Sequence, residues 1–375
     1  MTPPDPDPTE PARSASAAGG ASTVGGRPTR RRMVGLDAAR ALAIIGMLAV
    51  NVGPDLNDGV AGLIYELPRG RASLLFMILA GIGISLMTRA ARTERAPLPW
   101  RTLLWRAVLL LGLGLGLQLL DHEVSVILAC YGVLFLIGLP LARAPGWLLV
   151  MITVVMLALG PVLWIQLQVW TGVTYDFNPA ALTDAPGPLL HKIFFSGAYP
   201  VVVWVVPFVF GMALGRVDLR RRRTQWTLLA GGAATAVIGF AVSRLLIGMF
   251  GQPGEDPGLD RLWSAVDHSQ MPLWLISGSG SAVAVMSLCL LLEEPLRRWG
   301  AALVSAGRLS LTLYVLHLVL LAVLVRPGPD TLAGGYAVTV TMSLGLILGA
   351  HLWWRRWGVG PLERLLTWPP LRRRS

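Results

Sequence analysis

Ten predominantly apolar runs follow one another along the chain, at residues 34–53, 72–90, 102–120, 124–142, 147–169, 199–215, 226–250, 272–292, 305–325 and 332–352. A hydrocarbon core of about 30 Å is crossed by about 20 residues of helix, so each run is a transmembrane candidate. The breaks between them are short and carry polar, proline or glycine residues, which leaves almost no chain for a separate soluble domain. The pattern predicts an all-α fold: a polytopic integral membrane bundle of about ten transmembrane helices. Residues 1–32, rich in Pro, Ala, Ser and Gly and ending in arginines, read as a disordered basic tail. Residues 33–354 form the membrane domain and 355–375 a second basic tail. The first run reaches Asn51 and Pro54 without a small-residue cleavage site, so it is read as a retained span and not as a removable signal.

Composition agrees: 54% of residues are hydrophobic, 14% are charged, and the mean hydropathy is +0.61. A net charge of +11 would suit nucleic acid, but the arginines sit between the spans and not on one folded face. Arg27 and Arg30 to Arg32 precede the first run. Arg89, Arg92, Arg95 and Arg101 separate the second from the third, and Arg216 with Arg220 to Arg223 the sixth from the seventh. These junctions alternate with arginine-poor ones, the asymmetry of the positive-inside rule. With Arg355, Arg356, Arg364 and Arg372 to Arg374 on the same side, both termini are expected in the cytoplasm. The charge then sets topology and attracts anionic membrane lipids, and no nucleic-acid partner is expected.

Polar groups inside the apolar runs carry the candidate chemistry, because lipid rejects them unless they serve packing or a site. At about 100° per residue, Asp37, Arg40, Ile44, Met47 and Asn51 share one stripe of the first helix. The structural alternative is an i,i+3 ion pair closing a helix end. Later in the chain, Arg308 and Tyr314 lie near the inner half of the ninth run and His317 falls in mid-span. Tyr314 and His317 can face one cavity, or His317 can be a plain interhelical hydrogen-bond partner. The outer connections add Asp58, Glu66, Arg69 and Arg71 after the first span, the turn Asp121 to Glu123, a 170–198 segment whose length suggests a re-entrant piece over a pocket, and Asp267 with His268. Cys130 and Cys289 lie in apolar runs, and His122, His191, His268, His317 and His351 are scattered. Neither a disulfide framework nor a metal site is expected.

Several stretches resemble a known superfamily. Gly35 to Asn51 resembles the opening "LDxxRGxAxxGMxxxN" helix of YeiB-like membrane proteins and of heparan-alpha-glucosaminide N-acetyltransferase relatives. Arg69 to Gly83 resembles their second helix, Ile127 to Gly132 their "ILxxYG" stretch, and Gly307 to Tyr314 their "GRxSLTxY" helix. The resemblance implies a membrane acyltransferase without a bound cofactor. It would take cytoplasmic acyl-CoA as co-substrate and pass the acyl (acetyl) group to a hydroxyl or amine of an extracytoplasmic glycan or lipid-linked acceptor. It also implies a multi-pass protein of the plasma membrane, with oligomerisation left open.

The chain departs from these relatives in two places. In the wider type-three acyltransferase relatives the helix-one arginine is followed eleven residues later by a histidine; eleven from Arg40 is Asn51. In the heparan-type relatives a first-outer-loop histidine is the candidate acyl carrier, and residues 52–72 hold no histidine. An acyl-histidine there is excluded. His317, in a stretch that also looks like the "YLxH" late helix of the type-three relatives, then becomes the first choice of base, with Asp58 or Glu66 as alternates. Asn51 is expected to donate to the acyl carbonyl oxygen. Arg40, Arg69 and Arg71 would hold phosphate or carboxylate groups, with Asp37, Tyr314, Arg308 and His268 completing the substrate-binding set. The alternative from another class is a transporter or flippase of a lipid-linked or small anionic molecule, using the same groups without bond making.

Overall fold

The computed structural model describes residues 32–54, 59–172, 179–254 and 256–367, together with Met1. Asp58, most of the first predicted tail and residues 368–375 of the second lie outside the described residues. Among those described, every element is helical and no strand occurs. The first half contains α1 (Val34–Val52), α2 (Gly59–Glu66), α3 (Arg71–Met87), α4 (Arg89–Thr93), α5 (Trp100–Leu117), α6 (Leu128–Leu141), α7 (Gly146–Thr171) and α8 (Pro186–His191). The second half contains α9 (Val201–Leu214), α10 (Arg222–Phe250), α11 (Pro272–Leu291), α12 (Glu293–Arg298), α13 (Ala301–Arg308), α14 (Ser310–Leu320), α15 (Leu332–Trp357) and α16 (Pro361–Leu366).

Each of the ten apolar runs falls on one or two of these helices. Among the described residues, seven segments are long and apolar enough to cross a membrane outright, α2 and α3 counting together as Gly59–Met87, and up to nine if two bent pairs each count as one span. α6 is a shorter apolar helix. One bent pair is Pro186–Ser196 with α9, broken by 54° where Pro200 caps α9. This is the broken or re-entrant geometry expected of the 170–198 connection.

The other bent pair corrects the sequence reading. Residues 305–325 read as one span, but α13 meets Ser310–Val325 at 84°. Two observations account for the bend. Leu309, at φ −100° and ψ 31°, leaves the helical region, and the first turn of α14 is capped from elsewhere. Leu311 N, Thr312 N and Thr312 Oγ1 donate to the Glu363 carboxylate at 2.8, 3.0 and 2.5 Å. A carboxylate at a helix N-terminus satisfies its free N–H groups and opposes the macrodipole. Glu363 belongs to α16, which is further tied down by Trp105 Nε1 donating to Leu365 O (2.6 Å) and Arg106 Nε to Leu366 O (3.1 Å).

Lipid tails are as apolar as leucine, so helices in a bilayer associate through close packing and small residues, not through hydrophobicity alone. α3 and α9 show this. A Cβ on Gly81 would overlap the Phe208 carbonyl, and one on Gly211 the Ile78 carbonyl. The Ser277 to Ser281 run serves packing too: Ser277 Oγ donates to Ala236 O at 2.9 Å and Gly280 meets the α10 backbone. α1, α3 and α9 are the buried centre. α10 and α15 sit outside it and expose Val237, Ile238, Leu245, Leu344 and Leu348, a surface suited to acyl chains.

Candidate functional site

A cavity of about 670 Å³ opens where the C-terminal ends of α1, α5 and α14 meet the residues leading into α3, α6, α9 and α11. Met47 and Asn51 reach it from α1, Tyr314 from α14, Ser73 from α3, and Gln118, Val124 and Ser125 from the α5–α6 connection. Pro179 and Ala198, from the 170–198 segment expected to cover a pocket, also line it, as does Tyr199 at the start of the next apolar run.

At its wall, Asn51 Nδ2 lies 3.2 Å from Nε2 of His317. Asn51 lines the cavity; His317 is fully buried behind it. Thus the histidine that type-three relatives carry on the first helix is absent here, but the asparagine in its place touches an imidazole supplied by α14. Tyr314 packs edge-on against the His317 ring at 5.0 Å and accepts a hydrogen bond from Ile127 N at 3.3 Å. The i,i+3 spacing of Tyr314 and His317 accounts for their contact.

The lip of the cavity gathers the charged groups of the outer connections. Arg69 and His268 line it; Arg69 Nη2 is 3.9 Å from Glu66 Oε1, and Arg71 Nη1 is 3.6 Å from Asp267 Oδ1. His268 sits among the rings of Tyr199, Trp204 and Trp274, with centroids 5.8, 6.2 and 5.7 Å away. Burial, and then the Arg69 charge, push it down to about 4, so it is neutral near pH 7. Burial raises Asp267 above the usual carboxylate range, and Arg71 and Arg69 offset only part of that rise. The loop is pinned by Gln270, which accepts from Trp204 Nε1 at 2.9 Å and donates to Ala198 O at 3.1 Å.

Asp37, Arg40 and Arg308 assemble at the other end of α1. Arg40 Nη1 is 2.9 Å from Asp37 Oδ1, Arg308 Nε is 3.5 Å from Asp37 Oδ2, and the Arg308 guanidinium covers the Trp354 ring at 4.6 Å. The stripe drawn along α1 does not line one continuous opening. Ile44 is buried between its ends, and Tyr131, Phe76 and Tyr314 form a column of rings, Phe76 being 5.4 Å from Tyr131 and 6.2 Å from Tyr314. Fourteen residues of helix separate Asp37 from Asn51, about 21 Å.

Two groups differ from what spacing suggested. His122, noted in the outer Asp-His-Glu turn, is wholly buried, with Nε2 2.9 Å from Leu117 O and Nδ1 accepting from Val124 N at 3.1 Å. Both ring nitrogens are engaged in shaping the turn, and burial lowers its proton affinity. Arg326, which no sequence pattern marked, lines the cavity and contacts Asn51. Its one signal is an arginine beside Pro327 at the end of an apolar run. Among the described residues no group of three His, Cys, Asp or Glu side chains gathers to hold a metal ion.

Comparison with known proteins adds one result. No curated protein matches the chain. A family model, Acyl_transf_3, described as an acyltransferase domain, matches residues 124–354, more than half of the 375 residues, including His268, Tyr314 and His317. With its all-helical bundle and several membrane-crossing helices, the chain belongs to the acyltransferase-3 family and is an integral membrane protein of acyltransferase-like function.

Proposed function

We propose that this protein transfers an acyl group, acetyl in the simplest case, from coenzyme A to an extracytoplasmic glycan or lipid-linked acceptor, at the Asn51–His317 wall of the large cavity. The observation that carries the reading is the 3.2 Å contact between the Asn51 amide and a buried imidazole at that wall. An amide donating to Nε2 leaves the ring proton on Nδ1, the tautomer in which Nε2 can act as a base. When the Asn51 amide turns to the thioester carbonyl oxygen it uncovers Nε2. The acceptor oxygen or nitrogen attacks the carbonyl carbon, its proton passes to Nε2, the carbon–sulfur bond breaks, and the thiolate recovers that proton. Asn51 is the donor that stabilises charge on the oxygen. Arg69 and Arg71, each beside a carboxylate at the lip, orient the acceptor together with Glu66, His268 and Tyr314.

The cavity lies at the end of the bundle away from Arg92, Arg216, Arg308 and Arg356. By the positive-inside rule it faces outward, with both termini in the cytoplasm and the protein in the plasma membrane. Asp37, Arg40 and Arg308 then face the side from which the coenzyme arrives, and the rings of Phe76, Tyr131 and Tyr314 packed between the two ends have to part for its thioester to reach Asn51. The sequence likeness supports a place near the YeiB-like and heparan-alpha-glucosaminide-type relatives. Nothing in the fold favours the transporter alternative.

The test is purified protein in vesicles with labelled acetyl-coenzyme A and a mixture of cell-envelope glycans. Wild type is expected to transfer label, and Asn51→Ala and His317→Ala to lose about 100-fold in turnover, the scale of an oxyanion donor or a general base. Transfer retained by both variants would overturn the assignment. Substrate flux without label transfer would restore the transporter.

A further inference from the structure

We infer that Arg326 is a positioning residue for this reaction: it fixes Asn51 from the backbone side while His317 holds its side chain. Arg326 Nη2 donates to the Asn51 carbonyl at 2.8 Å and Nε to the His122 carbonyl at 2.9 Å, with Glu123 Oε2 3.4 Å from Nε. One guanidinium therefore joins the end of α1 to the α5–α6 connection. The Asn51 carbonyl belongs to the last turn of α1, whose free carbonyls carry partial negative charge and favour a cation.

Connectivity makes this more than a surface clasp. His317 and Arg326 belong to one stretch of chain: α14 passes directly into a π-helical segment, Leu321–Val325, closed by Arg326 N donating to Leu321 O at 2.9 Å. The wider turn inserts one residue relative to an α-helix and so changes the direction in which Arg326 leaves the helix. A closed circuit results, running from His317 through the π turn to Arg326, to the Asn51 carbonyl, through the Asn51 side chain and back to His317. Asn51 is gripped at both ends by one segment, so the position of the amide at the cavity wall depends on the arginine. Arginine suits the place because its planar fork bonds two carbonyls at fixed separation; the single ammonium of lysine reaches one at a time.

This inference rests on the function proposed above, and its test separates the two. Arg326→Gln, Arg326→Lys, Asn51→Ala and the double variant Arg326→Gln/Asn51→Ala are compared for acyl transfer in vesicles, each checked for monodispersity and thermal unfolding. Arg326→Gln is expected to lower kcat about tenfold or more with KM little changed, and Arg326→Lys to recover part of the loss. In the double variant the Arg326 change is expected to add nothing to the Asn51 loss, since its effect passes through Asn51. Free guanidinium is expected to restore part of the turnover of Arg326→Ala. If wild type transfers and the two losses multiply, or if Arg326→Gln raises KM alone, Arg326 does not act through Asn51 and this inference falls while the enzyme reading stands. If wild type transfers nothing, both fall. Should Arg326→Gln aggregate, the cycle is run with Arg326→Lys, and a multiplicative outcome there is equally decisive.

Discussion

Asn51 was legible as a polar side chain at the far end of a polar stripe, and as the residue standing where relatives carry histidine. His317 was assigned to the same site, but not as its direct contact: 266 residues separate the two, and no spacing rule joins positions that far apart. If the pair is the working unit, its halves should be exchangeable. The double exchange Asn51→His with His317→Asn is expected to recover acyl transfer relative to His317→Asn alone, measured as turnover in vesicles; equal activities would argue against a shared role. His268 gives a pH prediction. Its folded pKa, about 4, lies below the usual histidine value of 6.5. Between those values the unfolded chain binds a proton that the folded chain does not, so stability is full above about pH 6.5 and falls as the pH drops toward 4. The loss attributable to His268 is on the order of 3 kcal/mol at the acid end. His122, also lowered by burial, acts in the same direction. His268→Gln is expected to flatten the fall of Tm between pH 6.5 and 4, and an unchanged slope would remove His268 from the account.

Helices follow from apolar runs of sufficient length, and all ten runs lie on helices. What run length missed is the break at Leu309, because its cause is remote: Glu363 supplies the acceptors that let a new helix begin at Ser310. Glu363→Gln removes a charged cap and should lower stability by about 1 kcal/mol, read as a reduced Tm in detergent. Contact between elements is equally specific. A Cβ on Gly307 would overlap the Asp37 backbone, whereas one on Gly112 meets nothing within 4 Å. Gly307→Ala should therefore destabilise by about 1–3 kcal/mol, while Gly112→Ala should be neutral or slightly stabilising. Similar Tm values for the two would mean that α1 and α13 tolerate separation.

The whole bundle has two chemically different ends, one gathering Asp37, Arg40 and Arg308 and the other the cavity, with packed rings between. Both native cysteines are buried and unpaired, so introduced thiols report against a low background. Ser125→Cys, at the cavity, should react with a membrane-impermeant maleimide from outside intact cells, and Arg356→Cys only after permeabilisation. The reverse pattern would invert the topology. Apolar run length and the arginine alternation belong to the sequence alone, because they concern the transfer of each segment between water and lipid and need no partner. They suffice for an all-helical membrane bundle and for its expected orientation. The site is another matter. That Asn51 meets His317, that Arg326 reaches the end of α1, and that Arg40 lies apart from the cavity depend on how helices distant in the chain cross and where one of them bends. Those distances are set by side-chain packing between segments, and only the tertiary structure contains them.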